Sequence, residues 1–271
     1  MKPVEIFHIG PQKSGTTWLY KAFNEHPEIA CPPRDSIHFM DMMYHRGRGW
    51  YEEFFRDATP EQKLFDPTYS YIRCPLAPAR IHRENPSAKI LLTLRHPVDR
   101  AFSHYWHEKK KESYSFELSD SSRNYDLYAS WIETGFYARH LERYLQVFNR
   151  EQILVQRFEL LESNPREYLR EALEFVGVDS NFTPTVEGKK VNEAGFKRDS
   201  WSWVRSVVDR AARRIVPGAW KSLGLEQKFS GREEYKRGPL PEVRAALLEL
   251  YEPETAKLEE LLDIDFSAWR E

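Results

Sequence analysis

An apolar run from Val4 to Ile9 stops at Gly10, and the loop Pro11-Gln12-Lys13-Ser14 follows. Gly15 then opens a stretch in which Leu19, Ala22 and Phe23 recur at spacings of three and four. The run predicts a strand and the recurrence predicts a helix beginning near Thr16. A strand, a Gly-containing loop and a helix N-terminus together form an anion site. The loop's N–H groups converge, the first helical turn leaves its donors unpaired, and the helix dipole favours negative charge. Lys13 adds an ammonium, and Thr16 and Thr17 add hydroxyl donors.

The anion can be narrowed by comparison with nucleoside-triphosphate loops, which read G-x-x-x-x-G-K-[ST] and hold Mg²⁺. Gly10 and Gly15 keep the four-residue gap, but the lysine has moved inside the loop to position 13 and Thr16 stands in its place. The best later strand, Lys89-Ile90-Leu91-Leu92-Thr93-Leu94, ends in Arg95-His96 rather than in an Asp that would hold the metal. The cradle is therefore built for a phosphate-like group handled without a metal. Arg95 closes that strand, and Ser103 lies two helical turns beyond it.

These two motifs carry a resemblance. Pro11-Gln12-Lys13-Ser14-Gly15-Thr16-Thr17-Trp18-Leu19 resembles the 5′-phosphosulfate loop of sulfotransferases that use 3′-phosphoadenosine-5′-phosphosulfate (PAPS). Leu94-Arg95-His96-Pro97-Val98-Asp99-Arg100-Ala101-Phe102-Ser103-His104-Tyr105 resembles their 3′-phosphate motif. The likeness is to the heparan-sulfate-type domain and its bacterial relatives. It extends through Ile37-His38-Phe39-Met40-Asp41, Gly49-Trp50-Tyr51 and Tyr251-Glu252-Pro253, so it covers nearly the whole chain.

The resemblance implies a single sulfotransferase domain over residues 1–271, an α/β three-layer P-loop-like fold with a central parallel sheet flanked by helices. It implies PAPS as donor, with adenosine 3′,5′-bisphosphate (PAP) as product, and transfer to a hydroxyl, ahead of an amine, of a small-molecule or glycan acceptor. Lys13 would meet the bridging oxygen of the leaving group. Ser14, Gly15, Thr16 and Thr17 would hold the 5′-phosphate, Trp18 would stack on adenine, and Arg95 and Ser103 would clamp the 3′-phosphate. A basic Lys-Gly-Arg-type loop that closes over the cofactor in relatives corresponds to Lys236-Arg237-Gly238, in altered order.

The acceptor side departs from the family pattern. Where relatives carry Glu-Val-His-Phe-Phe-Asp, with Glu as proton acceptor, this chain has Ser36 in the Glu position. The Glu-Lys-Thr-Pro-x-Tyr motif appears as Asp66-Pro67-Thr68-Tyr69-Ser70-Tyr71 and lacks its Lys. A general base must reach the acceptor hydroxyl and work near neutral pH, which a histidine does with little tuning. His38 is the first candidate, with Asp35 and Asp66 behind it. Ser36, His38, Asp66 and Tyr69 are the expected acceptor-binding residues. Two rival readings stay open: an NTP-dependent P-loop kinase, and a PAPS- or PAP-binding protein without catalysis.

Composition and patterning bound the rest. The 40 basic and 42 acidic residues nearly cancel, so bulk charge calls for neither nucleic acid nor an anionic membrane. Two cysteines, Cys31 and Cys74, make no disulfide framework and no metal spacing. A strand begins by residue 4, and no apolar run approaches the ~20 residues of a membrane span. A cytoplasmic, bacterial-type protein without a stable membrane anchor is the expectation; oligomeric state is not legible. Short strands at Glu28–Pro33, Lys63–Tyr71, Ala88–Leu94 and Gln152–Phe158 alternate with helices at Leu76–Glu84, Pro97–Lys111, Tyr137–Asn149 and Pro165–Val176. That alternation predicts a parallel sheet covered on both faces, with ligands at the strand C-termini. Trp50–Phe55 reads as an aromatic helix or turn, and residues 112–135 as a partly helical insertion bordering an acceptor cleft. Farther on, a basic helix is expected from Asp199 to Arg214 and a basic loop from Phe229 to Pro239. Pro253 should kink or break the helical run Pro241–Leu262.

Overall fold

The computed structural model describes residues 2–109, 118–186 and 238–271. Lys236 and Arg237, and the helix and most of the loop expected between 199 and 239, lie outside the described residues. Five parallel strands form one sheet in the order β2-β3-β1-β4-β5. They are β1 (Ile6–His8), β2 (Ile29–Ala30), β3 (Lys63–Asp66), β4 (Lys89–Leu94) and β5 (Ile153–Arg157). Helices flank the sheet: α1 (Thr16–Asn24), α2 (Gly47–Glu52), α3 (Ala77–Glu84), α4 (Pro97–Lys109), the single turn α5 (Tyr125–Leu127), α6 (Tyr137–Leu145), α7 (Phe158–Ser163), α8 (Pro165–Val176) and α9 (Pro241–Leu262).

The strands' alternation sorts the core into layers. Along β4, Ile90, Leu92 and Leu94 pack with α3, α6 and the second half of α9. Leu91, one residue out of phase, packs with α1 and α8. Such two-sided burial is why β4 reads as a continuous apolar run. A third cluster joins Val98, Ala101 and Tyr105 of α4 to Trp131, Phe136 and Tyr251. It fastens the short helical turns of residues 118–135 beside the strand C-termini.

Two sequence expectations change. The helix α9 runs through Pro253 without ending. Proline costs ~3 kcal/mol in a helix interior, and packing on either side outweighs it: Tyr251 and Leu258 are buried, and the Tyr251 hydroxyl donates to Ile132 O at 2.8 Å. Gly135 lets that ring approach, since a Cβ there would sit 2.7 Å from it. The second change is α7, which follows β5 directly and was not expected.

Candidate active site

The loop after β1 is shaped by backbone conformations that few residues adopt. Gly10 has φ 104°, and a Cβ there would lie 1.9 Å from Tyr69 O, so only glycine fits. Lys13 and Gly15 are also left-handed, at φ 75° and 83°. Gly15 caps α1 with no side chain over its first N–H groups, leaving them for an anion. A Cβ on Gly15 would strike Leu161 Cδ2 at 2.5 Å, so α7 is the floor beneath the loop. Ser14 is wholly buried and its Oγ has no hydrogen-bond partner among the described residues. An unmet buried hydroxyl costs about 1–3 kcal/mol, and a phosphate seated on this loop would answer it.

Arg95, at the end of β4, joins the second motif to the first. Its Nη1 donates to Lys13 O at 3.1 Å. The guanidinium lies 4.7 Å over the Phe158 ring of α7, and Tyr137 donates to Arg95 O at 2.9 Å. The fork is thus held at the loop, with most of its donors not used by that bond. Ser103 is buried on α4, at 8% exposure. Glycines at the two forced positions, an open helix cap, an orphaned hydroxyl and an anchored arginine all suit a phosphate-bearing donor. Trp18, expected to stack on adenine, is 6% exposed and packs edge-on against Tyr168 of α8, centroids 5.9 Å apart.

Asp66 departs from the expectation of an acceptor-binding carboxylate. It is completely buried and collects four donors: Thr68 N–H at 3.1 Å and Oγ1 at 2.5 Å, Tyr51 at 2.7 Å and Tyr71 at 2.8 Å. Burial raises its pKa, while the hydrogen bonds from Thr68, Tyr51 and Tyr71 pull it back. It can neither touch an acceptor nor take its proton; instead it holds the loop that presents His38. Thr68 Oγ1 receives the N–H groups of Ile37 (2.9 Å) and His38 (3.3 Å), and the Tyr71 hydroxyl receives that of Met40 (3.1 Å).

His38 itself sits at φ 61°. Its Nδ1 is 3.3 Å from Asp41 Oδ2 and 3.1 Å from Ser70 Oγ, and Ser70 donates to Asp41 at 2.5 Å. Burial would raise the Asp41 carboxyl, but hydrogen bonds from His38, Ser70 and the Met42 N–H hold it below its ordinary value. An ionised Asp41 favours the His38 tautomer with hydrogen on Nδ1 and a lone pair on Nε2. Asp35 is exposed and accepts from Thr17 Oγ1 at 3.3 Å, while the Ser36 hydroxyl turns to Asp35 O at 2.6 Å.

A cleft of about 500 Å³ opens beside the loop. Gln12, Tyr69, Ser70 and Arg73 line it, together with His104 and Glu108 of α4 and several residues between Asn124 and Thr134. Tyr69 also meets the His38 ring edge-on at 5.8 Å. A larger cavity, about 610 Å³, lies against β2 among Cys31, Trp50 and Phe54, and none of the phosphate-motif residues or His38 lines it. The smaller one is lined by Gln12 of the anion loop, by Tyr69 and Ser70, and by His104 of α4. The sequence reading missed His104, Glu108 and the α7 residues Phe158 and Leu161. The first two stand inside the 3′-phosphate motif helix or just after it, where helical periodicity alone could have placed them on one face.

A sulfotransferase-domain family profile matches residues 3–208, and the chain belongs to that family. The fold and family define a transferase. The human bifunctional heparan sulfate N-deacetylase/N-sulfotransferase 1 is 31% identical over 277 residues, covering 95% of this chain and 29% of its own. The mouse heparan sulfate glucosamine 3-O-sulfotransferase 3B1 is 35% identical over 176 residues, covering 63% of this chain and 45% of its own. The chain therefore spans less than half the length of these curated relatives. A solved sulfotransferase from Alicyclobacillus acidocaldarius superposes over 100% of both chains with a TM-score of 0.75 at 25% identity. Among the described residues no helix is long and apolar enough to cross a membrane.

Proposed function

We propose that this protein transfers the sulfuryl group of PAPS to a hydroxyl of an acceptor held in the 500 Å³ cleft. The observation that carries this reading is the 3.1 Å bond from Arg95 to Lys13 O, which ties the two phosphate motifs into one edge of the sheet. The loop from Lys13 to Thr17 would hold the 5′-phosphate and Arg95 with Ser103 the 3′-phosphate. PAPS supplies a sulfuryl group already activated by its phosphate leaving group.

Each residue's task follows from charge. As the bond from sulfur to the bridging oxygen breaks and the bond to the acceptor oxygen forms, negative charge grows on the departing phosphate. The Lys13 ammonium, on the left-handed turn of the loop, is suited to meet it. The acceptor hydroxyl loses its proton to His38 Nε2, the nitrogen left with a lone pair when Asp41 and Ser70 engage Nδ1. Asp41 is a positioning residue, and Ser70 links it to the cleft wall. His38 thereby takes the place of the family's missing Glu.

Titration calorimetry with PAP in the presence of a metal chelator tests the donor half. Binding is expected; a strict requirement for a divalent cation, or no binding, would refute it. For the proton acceptor, His38→Asn keeps a polar side chain and removes the basic nitrogen. Most turnover should disappear while PAP affinity stays nearly intact, and normal turnover would make His38 structural.

A further inference from the structure

The part of the cleft lining contributed by α4 and the following turns includes His104, Glu108 and Asp126. His104 is 6% exposed and lines the cleft. Its Nδ1 lies 3.1 Å from Ser130 O, and a carbonyl only accepts, so Nδ1 carries the hydrogen. Nε2 is then a lone pair, with Glu108 Oε1 at 4.0 Å, beyond hydrogen-bond distance. Burial, reinforced by the cations Arg100 and Lys13, depresses the His104 pKa well below the usual imidazole value, so the ring stays neutral. Glu108, which also lies 4.0 Å from His107 Nε2, and Asp126 add two carboxylates to a lining that contains one guanidinium, that of Arg73. Nearby, the Thr134 hydroxyl already donates to Ala129 O and Ser130 O, both at 3.1 Å.

A wall of this kind rewards a ligand that donates hydrogen bonds and carries no negative charge of its own. A carboxylated or sulfated acceptor would place anion against anion, with a lone pair where it needs a donor. Resting on the sulfotransferase reading above, we infer that the acceptor is a small polyol or amino-polyol, neutral or cationic, whose O–H or N–H group binds His104 Nε2 beside Glu108 and Asp126. His104 is thus a specificity residue for the acceptor, separate from the proton acceptor His38. The heparan sulfate named in the relatives is a polyanion, so this wall sets the chain's acceptor apart from theirs.

Three sugars of one scaffold test it: galactosamine, methyl galactoside and galacturonate, titrated into PAP-loaded protein and followed by ligand-observed NMR. Galactosamine should bind tightest and galacturonate weakest. His104→Phe keeps the ring volume and removes the lone pair, and should weaken galactosamine about tenfold or more with PAP affinity unchanged. Because His104 is buried, a second variant guards against misfolding. Asp126→Asn is on an exposed residue and should narrow the preference for galactosamine over galacturonate by severalfold. PAP binding in the same samples reports on the donor reading separately. Galacturonate binding at least as tightly as galactosamine would overturn the inference, as would no binding of any sugar with or without PAP. An unchanged preference in both variants would overturn it equally.

Discussion

The donor half and the acceptor half of the site are built by different means. The donor half is mostly backbone: left-handed turns at Gly10, Lys13 and Gly15, a helix cap, and one arginine bonded to a loop carbonyl. The acceptor half is mostly side chains, organised from beneath by a buried carboxylate. Asp66 fastens Thr68, Tyr51 and Tyr71, and these fasten the loop bearing His38. A backbone-built site depends on residues adjacent in the chain. A side-chain network draws on α2, β3 and two loops at once.

The largest expected effect asks whether the two halves stand or fall together. His8, bonded to Thr93 under the donor loop, is pushed down to about 3 by burial. His140, on α6, is lowered to about 3 by burial and by Arg143. Both titrate near 6.5 when unfolded, so between about pH 6.5 and pH 3 the unfolded chain binds protons that the folded chain refuses. Stability is full above that window and falls as pH drops through it. By pH 5 each histidine should remove on the order of 2 kcal/mol, about 4 together. Urea midpoints across pH 4–8, read by tryptophan fluorescence and by PAP binding, should fall in parallel. Separate transitions would show that the halves are independent folding units.

Lys13→Ala should lower turnover by about 10²–10³, or roughly 3–4 kcal/mol, with a smaller change in PAP affinity. Arg95→Ala should do the reverse, because its contacts are present before and during transfer. Single-turnover rates with calorimetry separate the two, and matching losses in both variants would erase the distinction in roles.

Asp66→Ala removes the acceptor of buried Tyr and Thr hydroxyls, which should destabilise the fold by about 1–3 kcal/mol. PAP affinity in the folded fraction should be nearly unchanged, while turnover falls because His38 loses its support. Denaturation midpoints and calorimetry report both; a large loss of PAP affinity would mean the halves are coupled through β3.

The smallest effect belongs to Trp18→Phe. A core role against Tyr168 predicts modest destabilisation and less than about a threefold change in PAP affinity, under 1 kcal/mol. A larger drop in affinity would return Trp18 to the adenine.

The proposed donor half could be read from the chain because its residues are contiguous. Gly10, Lys13, Gly15 and the Thr pair occupy one strand-loop-helix unit, and Arg95 stands at the end of the most apolar strand. What stayed hidden there is α7, whose Phe158 and Leu161 support the loop from residues far along the chain. On the acceptor side, His38, Ser70 and Tyr69 sit in recognisable segments, but nothing local separates a carboxylate that faces a cleft from one sealed under two tyrosines. Asp66 was read as the former and is the latter. His104 was hidden for the same reason, since its tautomer depends on a carbonyl 26 residues away.

The sequence by itself determined the alternation of strands with helices, the parallel sheet and the glycine-bearing loop between β1 and α1. Each of these follows from periodicity and from backbone preferences of neighbouring residues, which act over a few positions. Tertiary structure alone decided that Pro253 lies within a helix, that Trp18 packs on Tyr168, that Asp66 is a support and that His104 lines a cleft with its Nδ1 on a carbonyl. These depend on burial and on partners such as Tyr251, Tyr168, Tyr51 and Ser130, brought together only when the layers pack. Desolvation then acts on each group according to where it ends up, and no short stretch of sequence contains that information.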